Sequence, residues 1–358
     1  MERRTFLKNM VAASGIAFAS QLFPGIAVPV PDISRKKTVK KVLNAFYYRA
    51  HMYTIVPRQI REDLKWMADI GTDTVTLSIL EQDFSAAFEN VAFICNEAAK
   101  LGMSVIAVPS RWAGILAGAP KVPSLFTIRN PQTWILRKDG TPVDSLVTGR
   151  ISSIHYEETY EFIIQSLDKL FSSWDIQGII WDEPKTLGID YSPKAIEKLG
   201  PDPTEEQQLQ ANVDFYTRIN EYLKTHYPDK TTGMFIYSDL SDKVMYKMAE
   251  TGGLDYYGCD GRPWRLEDGG KTENPGKVLI GHTGQRFIDA AKKQGKKSLF
   301  LIENHNMADK DIPLFERRMP ELMEMDIDQL IYYYYPRNIE NPDKLMNILK
   351  NELKTFKR

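Results

Sequence analysis

Cysteine is scarce in this chain. Only Cys95 and Cys259 occur in 358 residues, so at most one disulfide could form. Neither lies in a CxxC or Cys/His zinc pattern, and both read as buried thiols. An excess of one charge is missing too. A formal net charge of -1 gives no global field toward nucleic acid, so no nucleic-acid partner is expected. No apolar run is long enough to span a bilayer, so no stable membrane insertion is expected. Internal repeats, low-complexity tracts and Pro/Gly/Ser linkers are absent as well. At 43% hydrophobic and 26% charged residues, the rest is ordinary globular composition with enough apolar material for one large core.

The N-terminus stands apart. MERRTFLKN carries Arg3 and Arg4, then Phe6, Leu7 and Lys8, and the weakly apolar VAASGIAFAS follows with an Ala17-Phe18-Ala19 cleavage-like triplet. RRTFLK resembles the twin-arginine export motif, with Glu2 where Ser or Thr is usual. A second possible cut lies near Ala27. Residues 1–30 are therefore expected to be an export signal and leader, and the protein to be periplasmic or extracellular.

From Lys41 the pattern is regular. Short β-branched or aromatic runs alternate with segments of helical period, as VLNAFYY does with RQIREDLKWMADIG, whose Ile60, Leu64, Met67 and Ala68 share one face. The later runs are TDTVTLSIL, MSVIAVPS, IQGIIWDEP, TTGMFIYSD, LDYYGCD, SLFLIENHN and QLIYYYYP. Gly71, Gly102, Gly252 and Gly295 stand where helix C-caps belong. Eight such units without a hairpin signal predict an α/β fold, a single (β/α)8 TIM barrel over residues 41–357. An open doubly wound sheet would need a Gly-rich phosphate turn after the first strand, and AFYYRAHMYT has none. The chain also lacks a mid-strand lysine for a Schiff base, and a Gly-Ser or Gly-Gly loop after the seventh or eighth strand to cradle phosphate.

Barrel enzymes keep their chemistry at the C-terminal ends of the strands. There the sequence places Tyr48, Arg49 and His51; Ser78, Glu81 and Asp83; Ser110, Arg111 and Trp112; and Asp182 and Glu183. Tyr237, Ser238 and Asp239; Asp260, Arg262 and Trp264; Glu303, Asn304 and His305; and Tyr334, Tyr335 and Arg337 complete the ring. Glu183 ends the fourth strand and Glu303 the seventh, on opposite sides of the mouth. Two facing carboxyls, one protonated and one ionised, suit cleavage of a glycosidic bond. Because neighbouring strand residues point to opposite sides, Asp182 and Glu183 can both face the axis only if the strand end is distorted.

Trp181-Asp182-Glu183-Pro184 and Ile302-Glu303-Asn304 resemble the clan A glycoside hydrolases. These are (β/α)8 barrels with an acid/base Glu ending strand four, usually after Asn, and a nucleophilic Glu ending strand seven. The resemblance implies Glu183 as acid/base, Glu303 as nucleophile, and a secreted, retaining hydrolase acting on an oligo- or polysaccharide without a cofactor or metal. Asp182 stands where the clan carries Asn. The segment from NPQTWILRKDGTPVD to WDIQGIIWDEP is also similar to sugar-barrel families whose strand-four Asp is the nucleophile. That version makes Asp182 covalent, with the acid from Asp239 or Asp260.

Arg49, His51, Trp112, Asp239, Asp260, Trp264, His305 and Tyr335 are the expected substrate contacts. Trp112 and Trp264 are expected to be exposed in loops and to stack on sugar faces. The long connection from Arg111 to His155 is expected to wall the site or to pack as an insertion. Two rivals stand beside this reading. One is a metal-dependent sugar isomerase or epimerase using Glu183, Asp239, Glu303 and His305, which five histidines in the whole chain make sparse in nitrogen ligands. The other is a non-catalytic glycan-binding barrel. The sequence leaves oligomeric state open.

Overall fold

The apolar runs form eight parallel strands: β1 (Val42–Phe46), β2 (Thr74–Ile79), β3 (Ser104–Pro109), β6 (Gly178–Asp182), β7 (Thr231–Tyr237), β8 (Tyr256–Gly261), β9 (Lys297–Ile302) and β10 (Gln329–Tyr333). The computed structural model describes residues 41–48, 54–118, 120–145, 148–263 and 277–356. The strands close into a ring in the order β1-β10-β9-β8-β7-β6-β3-β2, so first and last strands pair, Val42 opposite Gln329 and Phe46 opposite Tyr333. This is the expected TIM barrel. The expected export segment lies outside the described residues.

Each expected amphipathic segment is a helix, from Pro57–Asp69 to Pro342–Glu352. Their apolar faces cover the outside of the ring, Ile60, Leu64 and Met67 on the first helix for example. The ends follow local chemistry. Thr204 caps the long helix Glu205–His226: its hydroxyl accepts from Gln207 N, and the Gln207 side chain accepts from Thr204 N. Gly71, Gly102 and Gly295 take the left-handed conformation expected of C-cap glycines. After helix Asp242–Ala249 that role falls to Gly253 and not to Gly252.

Inside the ring, Phe46, Ile106, Val108, Ile180, Phe235, Leu299, Leu301 and Ile331 form a separate apolar plug. These positions set the parity of every strand. Two residues further along each one, the side chain again points to the axis but now at the open mouth. The alternation thus delivers Tyr48, Asp182, Tyr237, Glu303 and Tyr333 to one place. On β8 the same parity delivers Asp260, which lies opposite Leu301.

The long connection carries a small hairpin the sequence pattern did not reveal, β4 (Asp144–Ser145) with antiparallel β5 (Gly149–Arg150). Glu81 ties it down, accepting from Ser124 Oγ, Phe126 N and Ala113 N. Trp112 corrects an expectation: it is fully buried, and its indole donates to Ile79 O at 2.9 Å, so it packs the loop and offers no sugar platform. An indole N–H with a backbone carbonyl in reach gains from burial.

Candidate active site

Glu183 follows the last residue of β6 and adopts φ +37, a left-handed conformation unusual for a side chain with a Cβ. That twist breaks the alternation. Asp182 keeps the inward parity of Ile180, and Glu183 is turned into the same mouth. Asp260 ends the described inward row of β8, and Glu303 follows β9. Glu183, Asp260 and Glu303 each offer one oxygen, and these atoms lie within 4.8 Å of one another.

Lys277 stands among them. Its Nζ is 2.7 Å from Asp260 Oδ2, 3.0 Å from Glu183 Oε1 and 3.0 Å from Glu303 Oε1. It also sits 3.9 Å from the centre of the Tyr237 ring. Lys185 closes the other side: its Nζ donates to Glu183 Oε2 at 2.7 Å and to the Tyr237 hydroxyl. A divalent ion held by the three carboxylates would need the point where the Lys277 ammonium stands. His305 and Asp239, the remaining ligands of the metal reading, do not join the cluster, and Asp239 is exposed.

The carboxyls differ in charge. Glu183 is pulled down to about 2, because Lys277 and Lys185 outweigh the burial that acts the other way. Glu303 is lowered for the same reason, chiefly by Lys277. Asp260 is pushed well up by burial and by the charge of Glu183. Its Oδ2 accepts from Lys277, its buried Oδ1 has no donor beside it, and the carboxylates of Glu183 and Glu303 are within hydrogen-bonding reach. A protonated Asp260 turns that orphan oxygen into a donor toward a carboxylate. Asp182 is pushed up to about 7, first by burial and then by Glu183. His305, half-buried with an unpartnered Nδ1, is lowered to about 4 by burial and stays neutral at neutral pH.

Aromatic rings wall the mouth. Tyr48 and Tyr333 stack with centroids 5.7 Å apart, and His305 lies 5.0 Å from Tyr333. Asn304 fastens this wall, donating to Tyr333 O and accepting from Tyr333 N, both at 2.9 Å. Of the terminal tyrosines, Tyr333 therefore faces the site. Tyr335, an expected substrate contact, is exposed, yet its hydroxyl is committed to Asp343 at 2.7 Å on the last helix, away from the carboxylates. Arg49, His51 and Trp264 lie outside the described residues.

Three site residues escaped the sequence reading of roles. Tyr237 had been placed in the mouth ring without a function. Lys185 was legible, a cation two residues after Glu183 and past a helix-breaking proline. Lys277 had no local signal, because it is 94 residues from Glu183 and joins it only through barrel closure.

No family model matches the sequence, and a search of curated proteins finds no match. Solved structures do match in fold. An endo-β-1,4-mannanase from Thermotoga petrophila is similar with TM-score 0.56 and 12% identity, over 89% of this chain and 77% of that one. The catalytic domain of a β-amylase from Paenibacillus polymyxa gives TM-score 0.55 and 10% identity, over 90% of this chain and 100% of that domain. A β-galactosidase from the haloarchaeon Halorubrum lacusprofundi gives TM-score 0.61 and 13% identity over 88% of this chain, which spans 58% of that enzyme's length. The barrel expected from the sequence is thus the one these glycoside hydrolases share.

Proposed function

We propose that this chain is a glycoside hydrolase that breaks a glycosidic bond in an oligo- or polysaccharide and retains configuration. The observation that carries this reading is the meeting of Glu183, Asp260 and Glu303 at the open mouth, one oxygen of each within 4.8 Å of the others. Carboxyls about 5–5.5 Å apart suit a covalent glycosyl intermediate, whereas a separation of about 6.5–9.5 Å leaves room for the water of an inverting enzyme. The short spacing favours retention.

Exposure supports the following roles. The side chains of Glu183 and Glu303 are 11% and 15% exposed and reach the side where a sugar would lie, while that of Asp260 is 4% exposed and stands behind them. Glu303, ionised, attacks the anomeric carbon as the bond to the leaving oxygen breaks. That oxygen takes a proton from Glu183, which draws it from Asp260. Water then attacks the glycosyl–Glu303 ester and returns a proton through Glu183 to Asp260, freeing the sugar with its original configuration. Tyr48, Tyr237 and Tyr333 are phenols that burial keeps neutral, fitting contact with sugar C–H faces and hydroxyls. The leader before the barrel is proposed to export the chain, on the strength of RRTFLK.

A panel of aryl glycosides tests the reading. Glu303→Gln and Glu183→Gln should each lower kcat by about 10²–10⁴, and proton NMR should find the first-formed sugar in the starting configuration. Wild-type kcat in Glu303→Gln would remove it as nucleophile, and an inverted first product would remove retention.

A further inference from the structure

Around the ring, β6 to β9 carry the acidic centre, and cations flank it: Arg111 and Lys121 beyond β3 on one side, Arg337 beyond β10 on the other. The loop bearing Arg111 is bonded onto the site, Ala117 N donating to Asp182 O and Lys185 N to Ile115 O, both at 2.8 Å. Arg111 is buried in a left-handed conformation at φ 59, and donates Nη2 to Gly118 O at 2.9 Å and Nε to Pro120 O at 3.4 Å. Those bonds set Lys121 beside it. Neither Arg111 nor Lys121 has an ion-pair partner among the described residues. After burial, Arg111, Arg337 and Lys185 are what lower Lys121, so these like charges converge on one region. Glu81 at the end of β2 does not offset them, since its carboxylate is taken up by the loop it anchors and is itself pushed up by burial.

We propose that the sugar bound at this mouth carries an anionic group, a carboxylate or a sulfate ester, held by Arg111 and Lys121 with Arg337 on the facing flank. The proposal rests on the glycosidase reading and names the substrate class for it. A planar guanidinium matches the paired oxygens of carboxylate and sulfate, and a neighbouring ammonium adds an untethered charge. Neutral sugars give neither Arg111 nor Lys121 an ion-pair partner.

The test uses the full chain and α- and β-linked 4-nitrophenyl glycosides in matched forms: neutral, uronic acid and 6-sulfate. One charged form should exceed its neutral counterpart in kcat/KM by about tenfold or more, as expected for one charge-assisted contact. The arm that responds tells carboxylate from sulfate, and the advantage should shrink as salt is raised. Lys121→Gln, at an exposed position where folding is undisturbed, should narrow the gap between charged and neutral forms. Neutral glycosides cleaved as well as both charged forms would overturn this proposal and leave the glycosidase reading standing. No cleavage of any glycoside would overturn both.

Discussion

Lys277 places one ammonium 2.7 Å from Asp260 and 3.0 Å from both Glu183 and Glu303, in a site where its side chain is 4% exposed. At that burial an unpaired charge is costly, so Glu183 and Glu303 depend on the cation to stay ionised. In the proposed reaction Lys277 is a positioning residue: it sets which carboxyls are charged before a substrate arrives. Lys277→Met should let Glu183 and Glu303 rise toward ordinary carboxyl values or above. The acid limb of the kcat/KM profile should then move to higher pH, and stability in urea should drop by about 3 kcal/mol. An acid limb that stays put would mean that Lys277 only fills space. Asp182 is the second residue of consequence: it keeps the inward parity of its strand, and burial and the neighbouring Glu183 push it up to about 7.

At the scale of elements, strand period does most of the work. Every strand alternates, so residues two beyond the inner plug all emerge at one mouth. Glu183 is the exception that the left-handed backbone at φ +37 makes possible, and Asn304 replaces the missing pairing between the ends of β9 and β10. Close packing between strands is equally specific. A Cβ built at Gly258 would lie 1.7 Å from Leu299 O, so β8 and β9 could not keep their pairing around a side chain there. Gly258→Ala should cost at least about 3 kcal/mol, and Gly188→Ala, where a Cβ meets nothing within 4 Å, should stay within about 0.5 kcal/mol. Thermal melts of the two variants check this. Equal melting points would show that the barrel relaxes around Gly258.

For the whole molecule, the buried titrations make stability depend on pH in two opposing ways. Asp182 is raised from an ordinary value of about 3.9 to about 7, so the folded state holds a proton that the unfolded state has lost. Stability from this group falls as pH rises from about 4 to about 7. His305 is lowered from about 6.5 to about 4, so the unfolded state binds the extra proton in that interval and stability falls as pH drops through it. The two slopes offset each other in the wild type. Asp182→Asn removes the first, so its stability relative to wild type should increase by roughly 2 kcal/mol or more between pH 4 and pH 8. Urea denaturation at both pH values measures it, and a difference that does not change with pH would show that Asp182 is ionised throughout.

Sequence by itself determined the barrel. Periods of two and 3.6 are local properties of the chain, and eight such units in alternation admit few other closures. It also determined the presence of Glu183, Asp260 and Glu303 at strand ends, since parity and strand order need no coordinates. Charge was decided only by the tertiary structure. Lys277 reaches Glu183 across 94 residues, and no local pattern announces which distant cation will enter a cluster. Protonation follows from that company and from burial, both of which exist only once the ring has closed. The same holds for Trp112: its loop position suggested a platform for sugar, but the packing of the Arg111–His155 connection turned its indole to the carbonyl of Ile79. A side chain's type is written in the sequence, whereas its solvent and its neighbours are set by the fold.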